Sequence, residues 1–195
     1  MEPKPLPVGR RELTKSQNRE TILAAARQVF AQLGLATATV RDVIRATPLA
    51  SGTFYNYFKS KEEVYQALRD EVALAVRPRL REARQGADTA QAFLAQSFRA
   101  FFQFVAQSGE PSAGPERFRM DSPQVLTGFA ELREDIEAAM AGGILPATDA
   151  AALTAALVGV AFELAQQVKG GADVEQTTLF ATALFMGGIF ALPKP

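Results

Sequence analysis

A chain of 195 residues, 48% of them hydrophobic, can bury one large core or the cores of a small and a larger domain. It has no Cys and no His, which removes disulfides, thiolate sites and the commonest metal ligand and general base, and excludes most hydrolytic triads and zinc sites. The net charge of zero hides a division: residues 1–61 carry ten Lys or Arg against four acids, and residues 62–195 carry eleven against seventeen. A basic end on an acidic remainder suits a chain that sets one part of its surface against phosphate. Charge alone fits a solvated basic surface equally well.

The first segment, MEPKPLPVGRRELTK, is rich in Pro and charge and lacks the apolar stretch of a secretory signal. Residues 1–13 read as a flexible basic arm, with Arg10 and Arg11, and Lys15 just beyond, able to follow a phosphate backbone or enter a minor groove. A helix is expected from near Thr14, with Ile22, Ala26, Val29, Phe30 and Leu33 on one stripe and Gly34 as its stop.

Thr39 then precedes Val40, Val43 and Ile44, with Asp42 three residues on, which is a capping-box pattern at the start of a short helix. The apolar residues share one face and leave Arg41 and Arg45 on the other. Pro48 biases Thr47 away from the α region and ends the helix. After this turn Leu49, Phe54 and Phe58 have the spacing of anchors for a second short helix, while Ser51, Thr53, Tyr55, Asn56 and Tyr57 point outward. Hydroxyls and the backbone at Gly52 suit phosphate, and an amide such as Asn56 can pair with a base edge in the major groove. Lys59 and Lys61 follow, and Ser60 with Glu63 forms a second capping-box pattern. The amide end of the helix it starts, together with Lys61, is expected to clamp a phosphate.

The runs TILAAARQVFAQLGLATATVRDVI and SGTFYNYFKSKEEV make the stretch from about Gln17 to Glu71 resemble the N-terminal domain of the TetR family of bacterial transcriptional regulators. The resemblance implies DNA contacts at Thr39, Arg41, Thr53, Tyr55, Asn56, Tyr57 and Lys61, to which the residue chemistry adds Ser51 and Gly52. Two positions depart from the family pattern: Pro48 stands where Gly is usual, and Ala50 where Ser usually starts the second helix. Ala is a poorer N-cap than Ser by about 1 kcal/mol. Ser51 is therefore expected to cap instead, moving the helix start by one residue.

The helix from Ser60 carries Val64, Tyr65, Leu68 and Val72 towards Arg84, with Pro78 expected to kink or interrupt it. From Asp88 a further helix holds Phe93, Leu94, Phe98, Phe101, Phe102, Phe104 and Val105 on more than one face, as in a helix buried on several sides. Ordinary core accounts for this pattern. The resemblance adds an effector pocket among the central helices, for which Phe98, Phe101, Phe102, Val105 and, one helix on, Phe129 are the candidates. Residues 107–121 read as a Gly/Pro/Ser loop carrying Arg117 and Arg119. Ser122 before Pro123 starts a helix with Val125, Leu126, Phe129, Leu132, Ile136 and Met140 on one face and Gly142-Gly143 as its stop. Its acids Glu131, Glu134, Asp135 and Glu137 read as the solvated side.

Two final helices, Asp149 to Val168 and Val174 to Leu192, have apolar runs short of the roughly 18 residues that span a bilayer. Their apolar surface exceeds what a small subdomain need bury. Leu153, Leu157, Val160, Leu179 and Met186 are the candidates for a four-helix homodimer interface, which matches the family's usual dimer. A two-fold dimer would place its reading helices about 34–36 Å apart.

The expectation is an all-α chain: an N-terminal three-helix helix-turn-helix domain over residues 14–62 and a C-terminal helical effector-binding and dimerisation domain over 63–195. The function implied is a cytoplasmic homodimeric repressor, released from double-stranded palindromic operator DNA by a small, largely apolar effector, with no cofactor, metal, membrane partner or enzymatic activity. The alternatives are an enzyme in the helical C-terminal part and a protein-interaction module that does not bind DNA.

Overall fold

The protein is described here from a computed structural model covering residues 10–108 and 122–192. Every regular element among these residues is helical, and they divide into two compact units after Arg69. Helix α1 (Arg10–Thr37) starts four residues before Thr14, so the expected arm is helical over its last four residues. Arg11, Glu12 and Leu13 are adequate helix formers, and Glu12 places a negative charge by the helix's amide end. Gly34 breaks α1 with φ 72° and ψ 155°, backbone that a Cβ disfavours, and one further turn reaches Thr37.

Helices α2 (Val40–Arg45) and α3 (Ser51–Tyr55) follow, and α4 (Lys61–Gln85) begins in the first unit and ends in the second. Ile22, Leu23, Ala26 and Phe30 of α1 pack with Val43, Phe54, Phe58, Val64 and Leu68 in one core. Because Val64 and Leu68 belong to it, the first unit runs to Arg69 and not to residue 62. Pro78 does not interrupt α4. The carbonyl that loses its amide partner belongs to Leu74, and both residues are exposed, where water can replace the bond.

In the second unit α5 (Ala90–Gln107) packs against α7 (Ala150–Lys169) and α8 (Val174–Gly188), and α6 (Pro123–Ala141) packs against α7. A single 3-10 turn, Ile189–Ala191, follows α8, so the last helix ends before Leu192. The caps are local. Ser122 and Asp149 cap α6 and α7 as expected, Asp173 caps α8, and Thr89 rather than Asp88 caps α5 by accepting from the Ala92 amide. The loop carrying Arg117 and Arg119 lies outside the described residues. Contrary to the reading of the apolar runs, Ala150–Lys169 and Val174–Ala191 are each long and apolar enough to cross a membrane by length and composition. Both also contribute to the core, through Leu153, Leu157, Leu164, Ala181 and Ile189.

The acids of α6 do not form a solvated face throughout. Glu131 accepts from Arg77 Nε at 2.9 Å and Asp135 from Arg84 Nε at 2.7 Å, across 54 and 51 residues of chain. Both carboxylates are largely covered, and Arg84 is only 6% exposed. The hydrogen bond from Arg77 holds the Glu131 carboxyl below its ordinary value. Residues 131 and 135 are one turn apart on α6, and 77 and 84 two turns apart on α4, so the pairs join the two helices at two levels. Removing one member of a covered pair strands the other charge. Arg84→Met should lower the urea unfolding free energy by about 3 kcal/mol, with most of the loss recovered on adding Asp135→Leu. An unchanged midpoint for the single variant would show that the pair does not hold the helices.

Candidate functional site

The first candidate surface is the helix-turn-helix. Thr39 forms the expected capping box: its amide donates to Asp42 Oδ2 at 3.0 Å, its hydroxyl donates to the same oxygen at 2.6 Å, and the Asp42 amide donates to Thr39 Oγ1 at 3.3 Å. These bonds, the hydroxyl's first, hold the Asp42 carboxyl below its ordinary value. Between α2 and α3 the organising residue is Thr47, which sequence reading treated only as the residue before Pro48. Its hydroxyl donates to the Ile44 carbonyl at 2.8 Å and accepts from the Leu49 amide at 3.3 Å. A Thr between a short helix and Pro is the signal that pointed to it.

Helix α3 starts at Ser51 with Ala50 in the N-cap position and no side-chain cap, so Ser51 does not take over the capping role. The backbone already leaves the helix at Ala50, and that conformation sets the boundary without a hydroxyl. Phe54 and Phe58 turn into the core, while Ser51, Gly52, Tyr55 and Asn56 are exposed and Tyr55 keeps 61% of its surface. Thr39 and Arg41 are exposed as well; Thr53 is half-buried, and Tyr57 packs partly against the core. Gly52 has room for a Cβ, with nothing within 4 Å, and its φ is not positive. The fold does not require glycine there.

Lys61 departs from the expectation. Its Nζ donates to the carbonyls of Leu35, Ala36 and Ala38 at 2.8, 3.0 and 2.9 Å, so all three ammonium hydrogens are engaged at the end of α1. The second capping box forms at the start of α4, since Ser60 Oγ accepts from the Glu63 amide at 3.2 Å and the Glu63 carboxylate accepts from the Lys59 amide at 2.6 Å. Sequence spacing could not reveal the contacts of Lys61, because its partners lie 23 to 26 residues away.

In the second unit Phe98 and Phe102 are buried and stacked, with centroids 5.8 Å apart. They form part of the packed core and not an open wall. Phe101 and Phe129 are half-buried and both meet Phe162 of α7 edge to face, at 5.4 and 6.3 Å; Val105 packs at the margin. Phe162 was missed because it lies among small residues on a helix that is apolar nearly all round. Among the described residues no group of three or more Asp, Glu, His or Cys is placed to hold a metal.

Two interface candidates are corrected. Leu153 and Leu157 are buried in the chain's own core, and Val160 and Met186 pack partly against it, leaving Leu179 as the exposed one of the five. The outward surface of α8 includes Leu179, Phe180, Ala183 and Leu184, and that of α7 includes Ala152, Ala155, Ala156 and Gly159. The bulky stripe of α7 serves the internal core, and the small-residue stripe is the one left outside.

Residues 22–68 match the family described as bacterial regulatory proteins, tetR family. The match to the TetR family lies in this N-terminal segment. The TetR match contains α2, α3 and the nine candidates from Thr39 to Lys61, and leaves α5 to α8 outside it. An uncharacterized HTH-type transcriptional regulator of Haemophilus influenzae is 29% identical over 132 residues, which cover 63% of this chain and 64% of that relative's length. The fatty acid degradation regulator FadR from Bacillus halodurans has a similar fold, with a TM-score of 0.70 and 23% identity over 88% of this chain and 96% of its own. FadR from Bacillus subtilis, solved in complex with stearoyl-CoA, gives 0.70 and 22% over 87% and 98%. Within this TetR-type head the Thr39 cap is the most local support of α2. Thr39→Ala should lower stability by about 1 kcal/mol in chemical denaturation; a change below a few tenths would show that packing alone holds the helix.

Proposed function

We propose that this chain is a sequence-specific DNA-binding transcriptional regulator, acting in the cytoplasm as a homodimeric repressor on a palindromic operator. The observation that carries the reading is Gly52, an exposed helical glycine with ordinary φ and free space around it. Glycine inside a helix costs about 0.5–1 kcal/mol relative to Ala, and among the described residues nothing approaches Gly52 closely enough to exclude a Cβ. Close approach of an external backbone would do so. Ser51, Tyr55 and Asn56 beside it, with Arg41 and the exposed cap at Thr39, supply hydroxyl, amide and guanidinium groups suited to phosphates and base edges.

The effector proposed is small and largely apolar, received where Phe101 and Phe129 meet Phe162, with the Phe98–Phe102 stack behind them as packed floor. The stearoyl-CoA bound by the Bacillus subtilis neighbour makes long acyl chains the first class to test. Binding would favour a state in which α4 and α6 take a different mutual setting, and release would be a shift of population between the two states. The proposed dimer uses the small stripe of α7 and the exposed Leu179, Phe180 and Leu184 of α8.

Selection of duplexes from a random pool should enrich a palindrome. On that duplex Gly52→Ala should bind at least about tenfold more weakly while its melting temperature holds or rises, and Asn56→Ala should lose about 1–3 kcal/mol of discrimination at one base position. Full affinity in both variants would remove α3 as the reading element. Leu184→Glu should shift sedimentation from dimer to monomer; a persistent dimer would place the interface elsewhere.

A further inference from the structure

We infer that Lys61 is a positioning residue of the reading head and not a phosphate ligand, an inference that rests on the DNA-binding reading above. An ammonium has three hydrogens, and here they converge on the carbonyls of Leu35, Ala36 and Ala38 at 2.8–3.0 Å. Those carbonyls end the extra turn that α1 makes after the break at Gly34. Such terminal carbonyls have no partners within their own helix, and a cation at a helix C-terminus also meets the negative end of its dipole. Ala38 is buried and directly precedes Thr39, whose capping box starts α2. The first residue of α4 therefore clasps the junction from which α2 departs, and the direction of Thr39 and Arg41 is set by that clasp.

The chemistry is specific to lysine. A tetrahedral ammonium on a flexible stem can serve three acceptors converging on one point, whereas the planar guanidinium of Arg presents its donors in a fixed fork. A phosphate ligand would behave in the opposite way, since Arg binds phosphate at least as well as Lys. Phosphate could take a hydrogen from the Lys61 ammonium only by displacing one of the three carbonyls.

The test compares wild type, Lys61→Met and Lys61→Arg in three readouts: melting temperature, amide hydrogen exchange from Ala38 to Val43, and the slope of log affinity against log salt on the selected duplex. A positioning role predicts lower melting temperature and faster exchange in both variants, affinity down about tenfold in both, and an unchanged salt slope. A phosphate contact predicts wild-type stability and exchange, a slope shallower by about 0.9 per subunit in Lys61→Met, and affinity restored in Lys61→Arg; that pattern would overturn the inference. Should neither variant fold, the lysine ammonium resonance of the wild-type protein decides. It should be slowly exchanging and unshifted when the duplex is added, and a shift on DNA binding would count against the clasp. Failure of the wild-type protein to select any duplex would refute the DNA-binding reading, while melting and exchange, measured without DNA, would still decide whether Lys61 holds the junction.

Discussion

Helix α4 carries the constraint on which the other features depend. From Lys61 to Arg84 it advances about 35 Å at 1.5 Å per residue, and its side chains are committed along that length. Lys61 clasps the end of α1, Val64 and Leu68 complete the core beneath α2 and α3, and Arg77 and Arg84 pair with Glu131 and Asp135 of α6. Pro78 removes one backbone bond within that span but does not stop the helix.

The reading head shows how rigid support and chemical exposure are divided among neighbouring residues. In α3 Phe54 is buried and Tyr55 exposed, with their rings meeting edge to face at 5.4 Å. Phe58 is buried with the guanidinium of Arg19 over its ring at 5.6 Å. A helix of five residues has almost no stability of its own. Its orientation is supplied by these aromatic anchors and by Thr47 in the turn before it. The departures at Pro48 and Ala50 are absorbed here: Thr47 organises the turn, and Ala50 holds the cap backbone without a hydroxyl.

In the second unit the same apolar composition serves two purposes, and only packing separates them. Phe98 and Phe102 stack in the core while Phe101, one position away on the same helix, faces Phe162. On α7 the large Leu residues fill the interior, while Ala152, Ala155, Ala156 and Gly159 are left outside, where small side chains permit the close helix approach that the proposed dimer needs.

The sequence by itself determined what short-range physics decides. The caps at Thr39, Ser122 and Asp149 and the stops at Gly34 and Gly142-Gly143 rest on contacts within about one turn, and the spacing of Phe54 and Phe58 against Tyr55 and Asn56 marks which face of α3 is buried. Tertiary structure decided what depends on partners far away in the chain. Lys61 looked like a free cation until three carbonyls more than twenty residues earlier were brought to it, and Glu131 and Asp135 looked solvated until α4 supplied Arg77 and Arg84. Which stripe of α7 faces inward was likewise undecidable from a helix apolar nearly all round, because hydrophobic burial is non-directional and only the shape of the neighbouring helices selects the face.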